Sequence, residues 1–94
     1  MQDEWPFEDP PNVAVLTVWP VLDGSAPILR VCHDADDGAW QFLHGGPVSE
    51  KDAAVAGLGE MLRRDPSLRE LADLPEGWIA ERADVGSPWT RAPR

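Results

Sequence analysis

The sequence predicts an α+β fold, with an antiparallel sheet of four to five strands packed against one main helix and one short helix in the order β-β-β-α-α-β-β. Three observations indicate this class. β-Branched residues cluster early, two strand-like runs flank an acidic corner that contains glycine, and apolar residues later recur at spacings of three and four. The chain of 94 residues is long enough for one domain. We assign residues 1–12 to an acidic, proline-rich arm and residues 13–94 to a single α+β domain.

Three strands are predicted in the first half of the chain. The run "VAVLTVW", residues 13–19, is rich in β-branched residues and stops at a proline. Residues 28–33 and 39–44 suit a hairpin around the corner "DADDG", residues 34–38. In such a turn the aspartates accept local backbone N–H groups and Gly38 takes the left-handed conformation.

The register of this hairpin bears on metal binding. With a five-residue corner, Cys32 faces Trp40, and His33 and His44 point to opposite faces of the sheet. A shift of one residue places both histidines on one face, but about 13 Å apart at 3.3 Å per residue. One metal ion cannot bind both in either register, and the aspartates are not spaced as in a calcium loop. We therefore predict no metal ion and no cofactor.

The main helix is predicted over residues 49–64. Ser49 suits an N-cap, and Asp52 three residues later approximates a capping box. Gly57 and Gly59 each cost about 1 kcal/mol in a helix interior, which indicates close packing, a kink or a shorter helix. The apolar stripe that supports the helix consists of Ala54, Val55, Leu58, Met61 and Leu62.

A short helix and a last hairpin complete the predicted fold. Asp65 as N-cap and Pro66 at the first position favour a helix over residues 66–73. Residues 78–83 and 88–91 then form the strands of a hairpin that turns near Val85 and Gly86.

Charge excludes several function classes. The net charge is −9, from 17 acidic and 8 basic residues. Nucleic acid and anionic membrane surfaces require clustered Lys and Arg, so neither is an expected partner. The acidity either maintains solubility or steers the protein toward a basic protein partner.

The expected location is the cytoplasm. The one cysteine, Cys32, cannot form an internal disulfide, which is typical of a reducing compartment. The first residues are acidic where a signal peptide needs a basic segment followed by an apolar one. No apolar run approaches the roughly 18 residues that span a bilayer.

The candidate partner-binding residues are Asp34, Asp36 and Asp37 on the corner, with Trp5 and Phe7 in the arm. Three carboxylates on a protruding corner suit an arginine-rich surface. The two aromatic residues either pin the arm to the domain or anchor a partner. If the arm folds back near the corner, the acidic clusters merge into one negative field. The other acidic residues of these clusters are Asp3, Glu4, Glu8, Asp9, Glu50 and Asp52.

Two blocks of sequence resemble a known group. The stretches "PILRVCHDADDGAWQFL" and "DPSLRELADLPEGW", with a closing "WTR", resemble small bacterial proteins of unknown function over residues 13–91. More distantly, they are similar to immunity-protein-like domains of polymorphic toxin systems. The closer resemblance implies a family without assigned biochemistry. The distant one implies a cytoplasmic α+β domain that neutralises a toxin by binding it.

Three function hypotheses follow. The first is a non-enzymatic, acidic protein-binding module, of the immunity type, that neutralises a basic partner such as a nuclease-like toxin. The second is a small structural or assembly protein that forms a homo-oligomer. The third is an enzyme that uses His33 or His44 with a carboxylate, although no motif of a known catalytic site supports it. We assign no catalytic residue and expect no enzymatic activity.

Overall fold

A six-stranded mixed sheet is the frame of the protein in a computed structural model, which describes residues 4–94. The strands are β1 (Ala14–Val18), β2 (Arg30–His33), β3 (Trp40–Leu43), β4 (Ala53–Gly57), β5 (Trp78–Glu81) and β6 (Thr90–Pro93). Their order across the sheet is β4-β1-β3-β2-β5-β6. Neighbouring strands are antiparallel except β1 and β3, which run parallel.

The helices are short. Two are α-helices, α1 (Trp19–Leu22) and α2 (Leu58–Arg64), and two are 3₁₀ helices, Glu50–Asp52 and Pro66–Leu71. Asp65 caps the second 3₁₀ helix, because its Oδ1 accepts the Ser67 N–H at 3.0 Å. None of the helices within residues 4–94 has the length and apolar composition needed to cross a membrane.

The predicted antiparallel sheet of four to five strands is wrong in strand number and in direction. The strand number is wrong because residues 49–64 do not form one α-helix: residues 50–52 form a 3₁₀ turn, β4 occupies residues 53–57, and Leu58–Arg64 is α-helical. The direction is wrong because β1 runs parallel to β3. All five residues of β4 pair with β1, and Val55 lies opposite Leu16 with 65% of its surface exposed. Alanine favours a helix and valine a strand, so local propensity is divided and pairing with the free edge of β1 selects the strand.

Glycine fixes the start of α2. The Gly59 N–H donates to the Pro11 carbonyl at 2.8 Å, and a Cβ at Gly59 would lie 3.1 Å from the Pro11 Cβ. The predicted cap at Ser49 is wrong, because its side chain makes no hydrogen bond to the three-residue 3₁₀ turn that follows it. The predicted stripe is therefore divided, with Leu58, Met61 and Leu62 buried and Val55 in solvent.

The β2–β3 hairpin is confirmed, but its register is the shifted one. His33 pairs with Trp40, and Cys32 therefore faces Gln41 rather than Trp40. The corner spans six residues, because the Asp34 N–H donates to the Ala39 carbonyl at 2.8 Å. Inside it, Gly38 donates to the Asp34 carbonyl at 3.0 Å with φ +71°, which confirms its predicted left-handed conformation.

One face of the sheet carries the core. Phe42 and Val31 on the sheet pack against a helical layer, and Phe7 of the arm joins them with 5% exposure. On the opposite face a single row crosses all six strands, from exposed Val55 at one edge to Ala92 at the other. The helical layer contributes Leu58, Met61, Leu62, Leu68 and Leu71 to the core.

Candidate functional site

A cleft of about 430 Å³, here called the acidic cleft, opens where three segments meet. They are the arm, the β2–β3 corner, and the loop between the second 3₁₀ helix and β5. The hydrogen bond from the Gly77 N–H to the His33 carbonyl, 2.7 Å long, holds that loop against the end of β2. The lining residues are Phe7, Glu8, Asp9, His33, Asp37, Gly38, Trp40, Ala72, Asp73, Leu74, Pro75 and Glu76.

Five carboxylates line the acidic cleft: Glu8, Asp9, Asp37, Asp73 and Glu76. Glu76 lies against the corner, because a Cβ at Gly38 would come within 2.9 Å of its Oε2. Arg91 donates to Asp73 at 2.7 Å and lowers the pKa of that carboxyl below its ordinary value, so Asp73 stays charged at neutral pH.

The other four carboxylates of the cleft make no ion pair within residues 4–94, and no Lys or Arg of that range lines the cleft. Asp9 accepts the Trp40 indole N–H at 3.1 Å, and Asp37 accepts the Ala39 N–H at 2.9 Å. These neutral donors leave the charges in place. The cleft therefore carries a concentrated negative charge.

Aromatic rings form the floor of the acidic cleft. The His33 ring stacks on Trp40 with centroids 3.9 Å apart, and Phe7 meets Trp40 edge-on at 5.1 Å. His33 Nδ1 lies 2.7 Å from the Leu74 carbonyl oxygen, which can only accept, so Nδ1 carries the proton. This bond fixes the ring between the end of β2 and the loop before β5.

A second cleft on the other side of the corner has a different character. It is lined by Asp36 and Asp37 together with Asp34, whose carboxylate is already engaged. Gln41 Nε2 donates to both Asp34 oxygens at 3.1 and 2.8 Å, and Arg94 lies 3.3 Å from Oδ1. Asp34 therefore holds the corner to β3 and to the last residue of the chain.

The structure separates the five predicted site residues. Asp36 and Asp37 are exposed at the corner, where Asp37 lines both clefts. Phe7 is buried in the core and lines the acidic cleft, while Trp5 lines a different groove and donates to the Asp9 carbonyl. Both aromatics pack in or against the core cluster of the domain. Asp3, another member of the predicted acidic clusters, lies outside the described residues.

The sequence predicts part of the acidic cleft but not all of it. The arm does fold back to the corner, which brings Glu8 and Asp9 beside Asp37. The sequence does not predict Asp73 and Glu76 at this site, because they reach the corner only through the pairing of β5 with β2. The one signal available is their position in and next to "LPEGW", the segment between the predicted short helix and the predicted last hairpin.

The histidines and the cysteine of the described residues are engaged in structural contacts. Neither histidine hydrogen-bonds a carboxylate within residues 4–94, and His44 Nδ1 instead accepts the Gly46 N–H at 3.0 Å. Cys32, the one thiol, is buried in the sheet. Across the same residues no group of three His, Cys, Asp or Glu side chains is arranged to hold a metal ion.

Comparisons with known proteins give no further guide to this cleft. No protein-family model matches the chain. Neither a curated protein nor a solved structure is significantly similar to it.

Proposed function

We propose that the protein is a non-enzymatic binding protein whose acidic cleft captures a basic segment of another protein. One observation carries the proposal: five carboxylates from three separate segments converge on one cleft, and only Asp73 has an ion-pair partner within residues 4–94. Like charges that line one cleft add to a negative potential, which an incoming cation lowers. Arginine and lysine side chains supply that cation with hydrogen-bond donors.

The shape of the site favours a protein partner. Asp37 and His33 line both clefts, so the acidic surface continues around the corner and offers room for more than one side chain. The net charge of −9 would accelerate encounter with a basic surface and would make that rate fall with added salt. The sequence resemblance to immunity-protein-like domains makes this function more specific. The protein would be cytoplasmic and would neutralise a basic, nuclease-like toxin by binding it.

The test compares two variants of equal charge. The cleft variant removes three charges from the acidic cleft through Glu8→Gln, Asp37→Asn and Glu76→Gln. The control variant removes three charges outside the cleft through Glu50→Gln, Asp52→Asn and Glu70→Gln. Binding of a ten-residue Arg/Lys-rich peptide is measured by calorimetry between 50 and 500 mM salt. We expect the cleft variant to lose about tenfold or more in affinity and the control variant about threefold or less.

Equal losses in the two variants would show that the peptide responds to net charge alone, and the cleft would lose its role. Affinity that is indifferent to salt would contradict the electrostatic basis of the proposal. Asp34 is left unchanged in both variants because its carboxylate supports the corner.

A second candidate function, homo-oligomer assembly, is favoured by the other end of the sheet. β4 is an edge strand without a charged residue, and Val55 forms with Leu16 a cross-strand apolar pair that is 65% and 44% exposed. Edge strands of soluble proteins usually carry a charge or a proline that prevents pairing between chains. If two copies pair here, light scattering will show a mass that rises with concentration and that Val55→Lys returns to the monomer.

A further inference from the structure

A groove of about 420 Å³ lies on the other side of the arm from the acidic cleft. We call this cavity the arginine groove. Its walls include two arginines, Arg63 and Arg69, and the apolar residues Trp5, Pro11, Leu62 and Pro66. The arm separates the two sites, because Trp5 and Pro11 face this groove while residues 7–9 line the cleft.

The two arginines are exceptional in this chain. Of the 8 basic residues, five form ion pairs with carboxylates. Within residues 4–94, Arg63, Arg69 and Lys51 form none, although acidic residues outnumber basic ones by two to one. Two of these three cations therefore share one groove, and both are exposed there.

The groove also holds one guanidinium in place. Arg69 Nη2 donates to the backbone carbonyl of Glu4 at 2.6 Å, which fixes the head group and leaves its other N–H groups to bind a ligand. Arg63 approaches from α2, one turn after Gly59, where the absence of a side chain keeps the groove open beside Pro11. Guanidinium groups pair with carboxylates through two parallel hydrogen bonds.

We propose that the arginine groove binds a small organic carboxylate with an apolar body. The carboxylate would pair with Arg63 and Arg69, and the apolar body would lie against Trp5 and Leu62. The volume falls in the range of small-molecule sites, which combine apolar walls with a few polar groups that orient the ligand. This site uses cations where the acidic cleft uses carboxylates, so either proposal stands or fails without the other.

Phenylacetate and its neutral analogue phenylacetamide serve as probes, and the indole N–H resonance of Trp5 serves as the reporter. Trp5→Phe identifies that resonance among the five tryptophan signals. We expect phenylacetate to shift it saturably and phenylacetamide to bind about tenfold more weakly. Arg63→Gln and Arg69→Gln should each weaken phenylacetate binding about fivefold or more.

Lys51→Gln is the matched control, since it removes one exposed cation that also lacks an ion-pair partner within residues 4–94, and it should change the affinity by less than about twofold. Equal binding of the two probes would overturn the proposal, as would a control variant as weak as the arginine variants. Absence of a saturable shift would also overturn it. A spectrum with the dispersion of the parent protein establishes that each variant is folded.

Discussion

The Asp34 carboxylate makes structural contacts within the fold and is not a free charge on the surface of the corner. It accepts two hydrogen bonds from Gln41 and forms an ion pair with Arg94, whereas Asp36, two residues further on, is exposed to solvent. Two aspartates of one acidic corner, separated only by Ala35, therefore have different roles.

Asp34→Ala should lower the free energy of unfolding by about 1 to 3 kcal/mol, because it leaves the Gln41 amide without its acceptor. Asp36→Ala should change it by less than about 0.5 kcal/mol. Urea denaturation of the two variants measures the difference. Equal effects would mean that the contacts of Asp34 contribute nothing to stability.

Arg82 is the most buried charge in the described part of the chain, with 2% side-chain exposure. Its guanidinium pairs with Asp65, donates to the Ile28 carbonyl at 2.8 Å, and lies 4.3 Å from the ring centroid of Trp89. It thereby joins β5 to the second 3₁₀ helix.

Asp65→Ala should destabilise the protein by about 3 kcal/mol, since it leaves a buried guanidinium without its countercharge and removes the helix cap. Glu81→Ala, which removes the partner of Arg30 from an exposed pair, should cost less than about 1 kcal/mol. Thermal unfolding of both variants compares them, and a larger loss for Glu81→Ala would contradict the importance of burial.

At the scale of elements, the sequence predicts what is local and misses what depends on a distant partner. β1 and the β2–β3 hairpin are visible because their patterns are continuous. Residues 53–57 satisfy a helical stripe and a strand equally, and only pairing with β1, far away in sequence, selects the strand. The same limit applies to the site: the corner aspartates lie within four residues of sequence, whereas Glu76 reaches them through tertiary pairing.

Val55→Ala tests whether residues 53–57 form a strand or a helix, because the two structures predict stability changes of opposite sign. In a strand the change removes β-branching and the contact with Leu16, so stability should fall by about 0.5 to 1 kcal/mol. In a helix, alanine would instead raise stability by several tenths of a kcal/mol. Chemical denaturation decides between the two, and a stabilised variant would refute β4.

At the scale of the whole molecule, the strand pairs of the sheet differ in how far apart their residues lie in the sequence. The β2–β3 hairpin closes across one corner, whereas the Arg30–Glu81 pair between β2 and β5 joins residues 51 positions apart. The parallel contact between β1 and β3 is intermediate, with Thr17 donating to the Phe42 carbonyl 25 residues away. Distant pairings carry a larger loop-closure cost.

We therefore expect the hairpin to form before β5 docks. Val31→Ala, which affects the hairpin, should slow folding, whereas Ile79→Ala in β5 should mainly accelerate unfolding. Stopped-flow folding and unfolding rates in urea measure both effects. Slower folding with Ile79→Ala and unchanged folding with Val31→Ala would reverse the order.

The late arrival of β5 has a consequence during synthesis. β2 lies at the centre of the finished sheet, yet one of its edges has no partner until residues 78–81 leave the ribosome. At about 5 to 20 residues per second, this interval lasts several seconds. During that time the nascent chain exposes the backbone edge of β2 beside Val31, which is fully buried in the finished protein. Slower translation of the segment before Trp78 would lengthen the exposure and increase aggregation of the newly made chain.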